Sequence, residues 1–239
     1  MTILRRFLIA ALLLGRAFSA IGSATQIELA DPTIYPHAGK YYLTGTEAPP
    51  QKGFRAYVSD DLRNWRPAGP QGYIFTPDNS NFGTEKFWAP QLFDVSGEQY
   101  FAYTANEQIG ISRGKGPVGP FSQATPESLG NGLRQIDPFV FIDDDGKAYL
   151  YHVRLDRGNH IYVAQMNESM TAIVPATLTH CLTAQSGTWE RTHKAPKANV
   201  VEGPSVIKHN GLYYLFYSAN HFKSPDYAVG YAVATSPLG

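Results

Sequence analysis

Ile136-Asp137-Pro138-Phe139-Val140-Phe141-Ile142-Asp143-Asp144-Asp145-Gly146-Lys147-Ala148-Tyr149-Leu150-Tyr151 is the stretch from which the fold can be read. An acid and a proline open a short apolar run. Asp-Gly then marks a reversal, because both residue types tolerate positive φ. An aromatic run follows. Proline suits the first position of a strand, where no ladder N–H is required. The stretch therefore reads as a β-hairpin.

The same unit recurs three more times. Asp31-Pro32-Thr33-Ile34-Tyr35 leads to Tyr41-Tyr42-Leu43, and Ala89-Pro90-Gln91-Leu92-Phe93 leads to Tyr100-Phe101-Ala102-Tyr103. Gly203-Pro204-Ser205-Val206-Ile207 leads to Tyr213-Tyr214-Leu215-Phe216-Tyr217. The turns between them are His37-Ala38-Gly39-Lys40, Ser96-Gly97-Glu98 and His209-Asn210-Gly211. Further strands are expected at Arg55-Ala56-Tyr57-Val58-Ser59, Ile109-Gly110-Ile111-Ser112, His160-Ile161-Tyr162-Val163-Ala164 and Val229-Gly230-Tyr231-Ala232-Val233. Pro32, Pro90, Pro138 and Pro204 lie 58, 48 and 66 residues apart. That spacing holds about four strands, the size of a propeller blade. A sandwich also has many short strands, but the repeat at blade length favours a propeller. Fourfold repetition leaves closure open: four blades close the ring, or a fifth lies outside this chain.

Composition agrees with a sheet protein. The 239 residues are 43% hydrophobic and 17% charged, enough apolar material for a core. Fifteen tyrosines and 13 phenylalanines alternate with 22 glycines and 17 prolines. Twenty basic residues balance 20 acidic ones, so no basic field is available for nucleic acid. Cys181 is the single cysteine, which excludes an intramolecular disulfide and a cysteine-based zinc cluster. The seven histidines show no paired metal spacing. Asp143-Asp144-Asp145-Gly146 reads as a turn rather than a calcium loop, because Phe141 stands where the first ligand belongs.

Arg5 and Arg6 precede an apolar run over 7–14, and Gly22-Ser23-Ala24 supplies small residues for cleavage. Residues 1–24 are expected to be a signal peptide, with a cut after Ala20 as the alternative. The run is shorter than the roughly 20 residues of a membrane span. The mature chain is expected to be secreted or periplasmic, and free of the membrane after cleavage.

The chemistry lies beside the repeated prolines. Asp31 precedes Pro32, Asp137 precedes Pro138, and Glu202 stands two residues before Pro204. Inner strands of propeller blades surround one axis, so three carboxylates from three blades should meet in one funnel. Taken singly, Asp-Pro is turn chemistry. Together, such acids raise one another's pKa, so that one stays protonated while another is charged. Glycoside hydrolysis needs that division. Trp88 is the candidate for stacking on a sugar, and Trp65 is expected to pack within the first blade.

With these residues in view, the chain resembles the family 43 glycoside hydrolases, five-bladed β-propellers that include β-xylosidases, α-L-arabinofuranosidases and arabinanases. The likeness is carried by Ala30-Asp31-Pro32-Thr33-Ile34, Ser59-Asp60-Asp61-Leu62-Arg63-Asn64-Trp65, Trp88-Ala89-Pro90, the stretch 136–146 and Val201-Glu202-Gly203-Pro204-Ser205. It implies Asp31 as general base, Glu202 as general acid, and Asp137 as the residue that orients the acid and modulates its pKa. It also implies inversion at the anomeric carbon, with base and acid carboxyls roughly 6.5–9.5 Å apart. Glu202 is followed by glycine, not cysteine, and Asp31 follows alanine, not asparagine; both points separate the chain from invertase-type propellers. Gln91 departs from the family pattern, which often has an acid after Trp-Ala-Pro.

No organic cofactor is implied. Relatives carry a fifth-blade histidine that binds water or a structural calcium ion, and that segment is not found among these 239 residues. The expectation is an all-β, five-bladed-type propeller over 25–239 with about four blades present, incomplete at its C-terminus. The flanks of the first and fourth blades, including 41–43 and 213–217, should then be exposed, and activity should be low or absent. The expected partner is a plant cell-wall carbohydrate bearing arabinofuranosyl or xylosyl residues. The rival readings are a catalytically silent carbohydrate-binding propeller and a protein-interaction propeller.

Overall fold

Four antiparallel sheets follow one another along the chain in a computed structural model that describes residues 26–78, 80–130, 132–192 and 199–239. The expected signal peptide lies outside the described residues. The first sheet is β1 (Ala30–His37), β2 (Lys40–Thr46), β3 (Phe54–Ser59) and β4 (Arg66–Phe75). The second is β5 (Trp88–Val95), β6 (Glu98–Ala105), β7 (Gln108–Gly114) and β8 (Phe121–Ser122). The third is β9 (Gln135–Ile142), β10 (Ala148–Leu155), β11 (Asn159–Gln165) and β12 (Thr179–Leu182). The fourth has three strands among the described residues: β13 (Val201–His209), β14 (Leu212–Ala219) and β15 (Ala228–Ala234). Each sheet is a simple meander, and the first strands of successive sheets pack side by side. This is a four-bladed propeller arrangement, as the repeat implies.

The turns explain why each hairpin closes where it does. Ala38-Gly39, Ser96-Gly97 and Asn210-Gly211 have positive φ at both residues, the conformation that matches the twist of the flanking strands. The third inner hairpin uses a longer turn, closed by Asp143 N–H to Lys147 O at 2.9 Å and Gly146 N–H to Asp143 O at 2.9 Å. In the β3–β4 turn, Asp61 accepts from the Arg63 and Asn64 amides, the Asn64 side chain and the Ser59 hydroxyl. Those donors hold its carboxyl far below the usual range. Trp65, at the end of that turn, is half-buried.

The core is three aromatic seams, one between each pair of neighbouring blades. Phe54, fully buried, meets Phe75, Phe87, Phe101 and Tyr103 between blades one and two. Phe93, Tyr100, Ile109, Val140 and Leu150 fill the second seam. Tyr151, Val153, Ile161, Val201, Leu215 and Tyr217 fill the third. Each such side chain contributes roughly 1.5–3 kcal/mol on burial.

The expectation of exposed flanks needs correction in detail. Strand alternation turns Tyr213, Leu215 and Tyr217 into the third seam, where they are buried. The uncovered face of blade four is instead made by Ile207, Val229, Tyr231 and Val233, the last three on β15. On blade one the exposed large apolar residues are Ile34 on β1 and Leu62 in the β3–β4 turn, not the half-buried 41–43.

Candidate active site

All four inner strands break register at the same point. Two residues, an X-Pro pair, face one residue of the neighbouring strand. This is a β-bulge, and proline suits it because a bulge leaves a residue unpaired. The residue before each proline has positive φ: 47° at Asp31, 44° at Ala89, 54° at Asp137 and 61° at Gly203. Three of these are not glycine, so the surrounding sheet holds a conformation that costs free energy on its own.

The bulges turn backbone donors toward the neighbouring blade. Ala89 N–H donates to Thr46 Oγ1 at 2.8 Å, and Asp137 N–H donates to Thr104 Oγ1 at 3.0 Å. At the third seam the residue corresponding to Thr46 and Thr104 is Val153, which has no hydroxyl. Gly203 N–H donates to the Asp137 carboxylate instead, at 3.0 Å. Thr46 also donates its hydroxyl proton to Asp31 Oδ2, at 2.7 Å.

The structure corrects one point of register. Asp31 and Asp137 occupy equivalent bulge positions, whereas in blade four Gly203 takes that position and Glu202 lies one residue earlier. The three acids are brought together nonetheless. The charges of Glu202 and Asp31 both act on Asp137, and that of Asp31 acts on Glu202. Burial, then those two charges, push the Asp137 carboxyl up to about 8. Burial raises Glu202 as well; hydrogen bonds from Tyr227 and Asn159 and the nearby His221 oppose the rise. Carboxylates coupled in this way titrate as a unit, and this unit retains a proton at neutral pH.

A fold of blades with strained X-Pro bulges and three coupled acids invites comparison with known proteins. The model of the family "Glycosyl hydrolases family 43" matches residues 25–239. The chain belongs to glycosyl hydrolase family 43. A β-D-galactofuranosidase of Aspergillus niger is 26% identical over 231 residues, 88% of this chain and 62% of that protein. A xylosidase/arabinosidase of Humicola insolens is 26% identical over 59% of this chain and 50% of its own length. The crystal structure of an endo-1,4-β-xylanase from Bacteroides thetaiotaomicron is 39% identical, with a TM-score of 0.79 over 88% of this chain and 70% of that one. The chain spans about half to three-fifths of the length of these two curated relatives.

In this family 43 chain, Trp88 is half-buried and pairs opposite Thr104, the register position that Glu202 occupies in blade four. Gln91 has a structural explanation. It is buried, its amide N–H donates to Val140 O at 3.1 Å, and its carbonyl accepts from Val140 N–H at 2.6 Å. A carboxylate could not supply the donor half of that staple between blades two and three.

Several residues of the site carry no motif. Thr46 and Thr104 look like ordinary strand residues. Asn159 and Tyr227 lie 43 residues before and 25 residues after Glu202, and nothing in their flanks marks them. Among the described residues no group of three or more His, Cys, Asp or Glu side chains is arranged to hold a metal ion.

Proposed function

We propose that this chain is the propeller of an exported, inverting glycoside hydrolase that releases arabinofuranosyl or xylosyl residues from plant cell-wall polysaccharides or oligosaccharides. One observation carries the reading: Asp31, Asp137 and Glu202, from three different blades, lie within one another's electrostatic reach. Asp31 acts as the general base. It takes a proton from water as the water oxygen attacks the anomeric carbon. Glu202 acts as the general acid. Its raised pKa keeps a proton for the leaving glycosidic oxygen as the C–O bond breaks. Asp137 accepts from the Gly203 amide next to the acid, which orients it, and through its coupling to Glu202 it modulates the pKa of the pair. The relatives named for xylosidase and arabinosidase activity support the substrate class. Export rests on residues 1–24, with Thr25 as the mature start.

Turnover of nitrophenyl α-L-arabinofuranoside and β-D-xyloside, beside arabinan and arabinoxylan, tests this. Asp31→Ala should lower kcat at least about 1000-fold on every substrate, because no base then activates water. Glu202→Gln should lower it most on polysaccharide, since nitrophenolate leaves with little help. A chain that binds arabinoxylan but turns over none of these would instead be a carbohydrate-binding propeller.

A further inference from the structure

Glu202 has a hydrogen-bond donor on each of its two oxygens. Asn159 Nδ2, at the start of β11, donates to Oε2 at 2.7 Å. The Tyr227 hydroxyl, just before β15, donates to Oε1 at 2.9 Å. The two donors differ chemically. An amide N–H2 can only donate, whereas a phenol hydroxyl can donate or accept.

We propose that Asn159 and Tyr227 are a pair of positioning residues that fix the proton of Glu202 on Oε1 and steady the carboxylate left when that proton departs. The proposal rests on the reading of Glu202 as the general acid. In the neutral acid, Oε2 is the carbonyl oxygen, because the better acceptor faces the obligate donor. The proton then sits on Oε1, where the Tyr227 hydroxyl can turn to accept it until a glycosidic oxygen arrives. After the proton moves to that leaving oxygen, Tyr227 turns back and donates. Both oxygens are then satisfied in the charged state, and neither partner gains or loses a proton overall.

The surrounding fold keeps Tyr227 in place. Asn220, fully buried, donates to the carbonyls of Asp226 at 2.9 Å and Trp189 at 2.6 Å. Its own carbonyl accepts from Thr192 N–H at 3.1 Å, and Thr192 Oγ1 donates to Asp226 Oδ2 at 2.6 Å. Residues 220–227 are thereby tied to residues 189–192 of the connection between β12 and β13. Tyr227 is itself 38% exposed, while burial and the neighbouring Glu202 carboxylate hold its hydroxyl above the usual phenol range. The charged and titratable groups that act on the pair are Asp31 on β1, Asp137 on β9 and His221 after β14.

The test is a carbon-13 NMR titration of glutamate carboxyl carbons in the unmodified chain, Tyr227→Phe and Asn159→Ala, with Glu202→Gln assigning the resonance. The titration reads Glu202 whether or not substrate is present. Each variant removes a donor to the charged form, so the Glu202 midpoint should move up by roughly one pH unit. The upper limb of kcat/KM should follow it, with a loss of about tenfold on arabino-oligosaccharide and under about threefold on the nitrophenyl glycoside. A midpoint that stays put in both folded variants, with equal losses on both substrates, would overturn the proposal and leave the pair a structural one. A Glu202→Gln enzyme that keeps the upper limb and the leaving-group dependence would overturn the acid assignment itself.

Discussion

Asp137 serves two needs at once. Its carboxylate takes the Gly203 amide that a threonine hydroxyl would take at the other seams, and it sits in the field of two more acids. Its folded pKa, about 8, lies above the ordinary value of 3.8, so folding favours the protonated form. The stability this confers is fully present below about pH 4 and is lost as pH rises toward 8. Asp137→Asn stays neutral and can still accept from Gly203. It should therefore match the unmodified chain near pH 4 and exceed it by on the order of 2 kcal/mol above pH 8, a rise in Tm of roughly 4–8 °C. Thermal melts across that range check this; equal melting at high pH would mean the buried acid is not strained. The candidate acids were legible because each stands one or two residues before a repeated proline. The one-residue offset of Glu202 was less so, since only the backbone shows that Gly203 occupies the bulge.

At the scale of elements, the X-Pro bulge is the repeated device and Gln91 is its local fastening. The hairpins could be read from Asn-Gly, Asp-Gly and Ser-Gly turns and from strand alternation, and β3, β7, β11 and β15 fall where the aromatic and β-branched runs predict. Sequence could not reveal what joins one blade to the next. Gln91, Thr46 and Thr104 act across a seam, on partners 33–49 residues away. Gln91→Glu should expose that dependence. The change leaves the Val140 carbonyl without its donor and buries a charge, so stability should fall by about 2–3 kcal/mol. Urea denaturation measures it, and an unchanged midpoint with an unchanged slope would show that the staple contributes nothing.

For the whole molecule, four blades hold three acids at one point while one face of blade four and Ile34 of blade one stay uncovered. Apolar residues in a row on an exposed sheet face favour association with another surface. Blade number and the approach of the acids followed from the repeat. Which side chains face outward did not, because Tyr213, Leu215 and Tyr217 and their β15 neighbours Tyr231 and Val233 look alike in composition and differ only in which side of the sheet they occupy. The central claim is that Asp31 activates water on the side of the sugar opposite Glu202. Proton NMR of a nitrophenyl α-L-arabinofuranoside digest, recorded before mutarotation, tests it most directly. The account requires β-L-arabinose as the first-formed product; α-L-arabinose first, or no turnover at all, would contradict it.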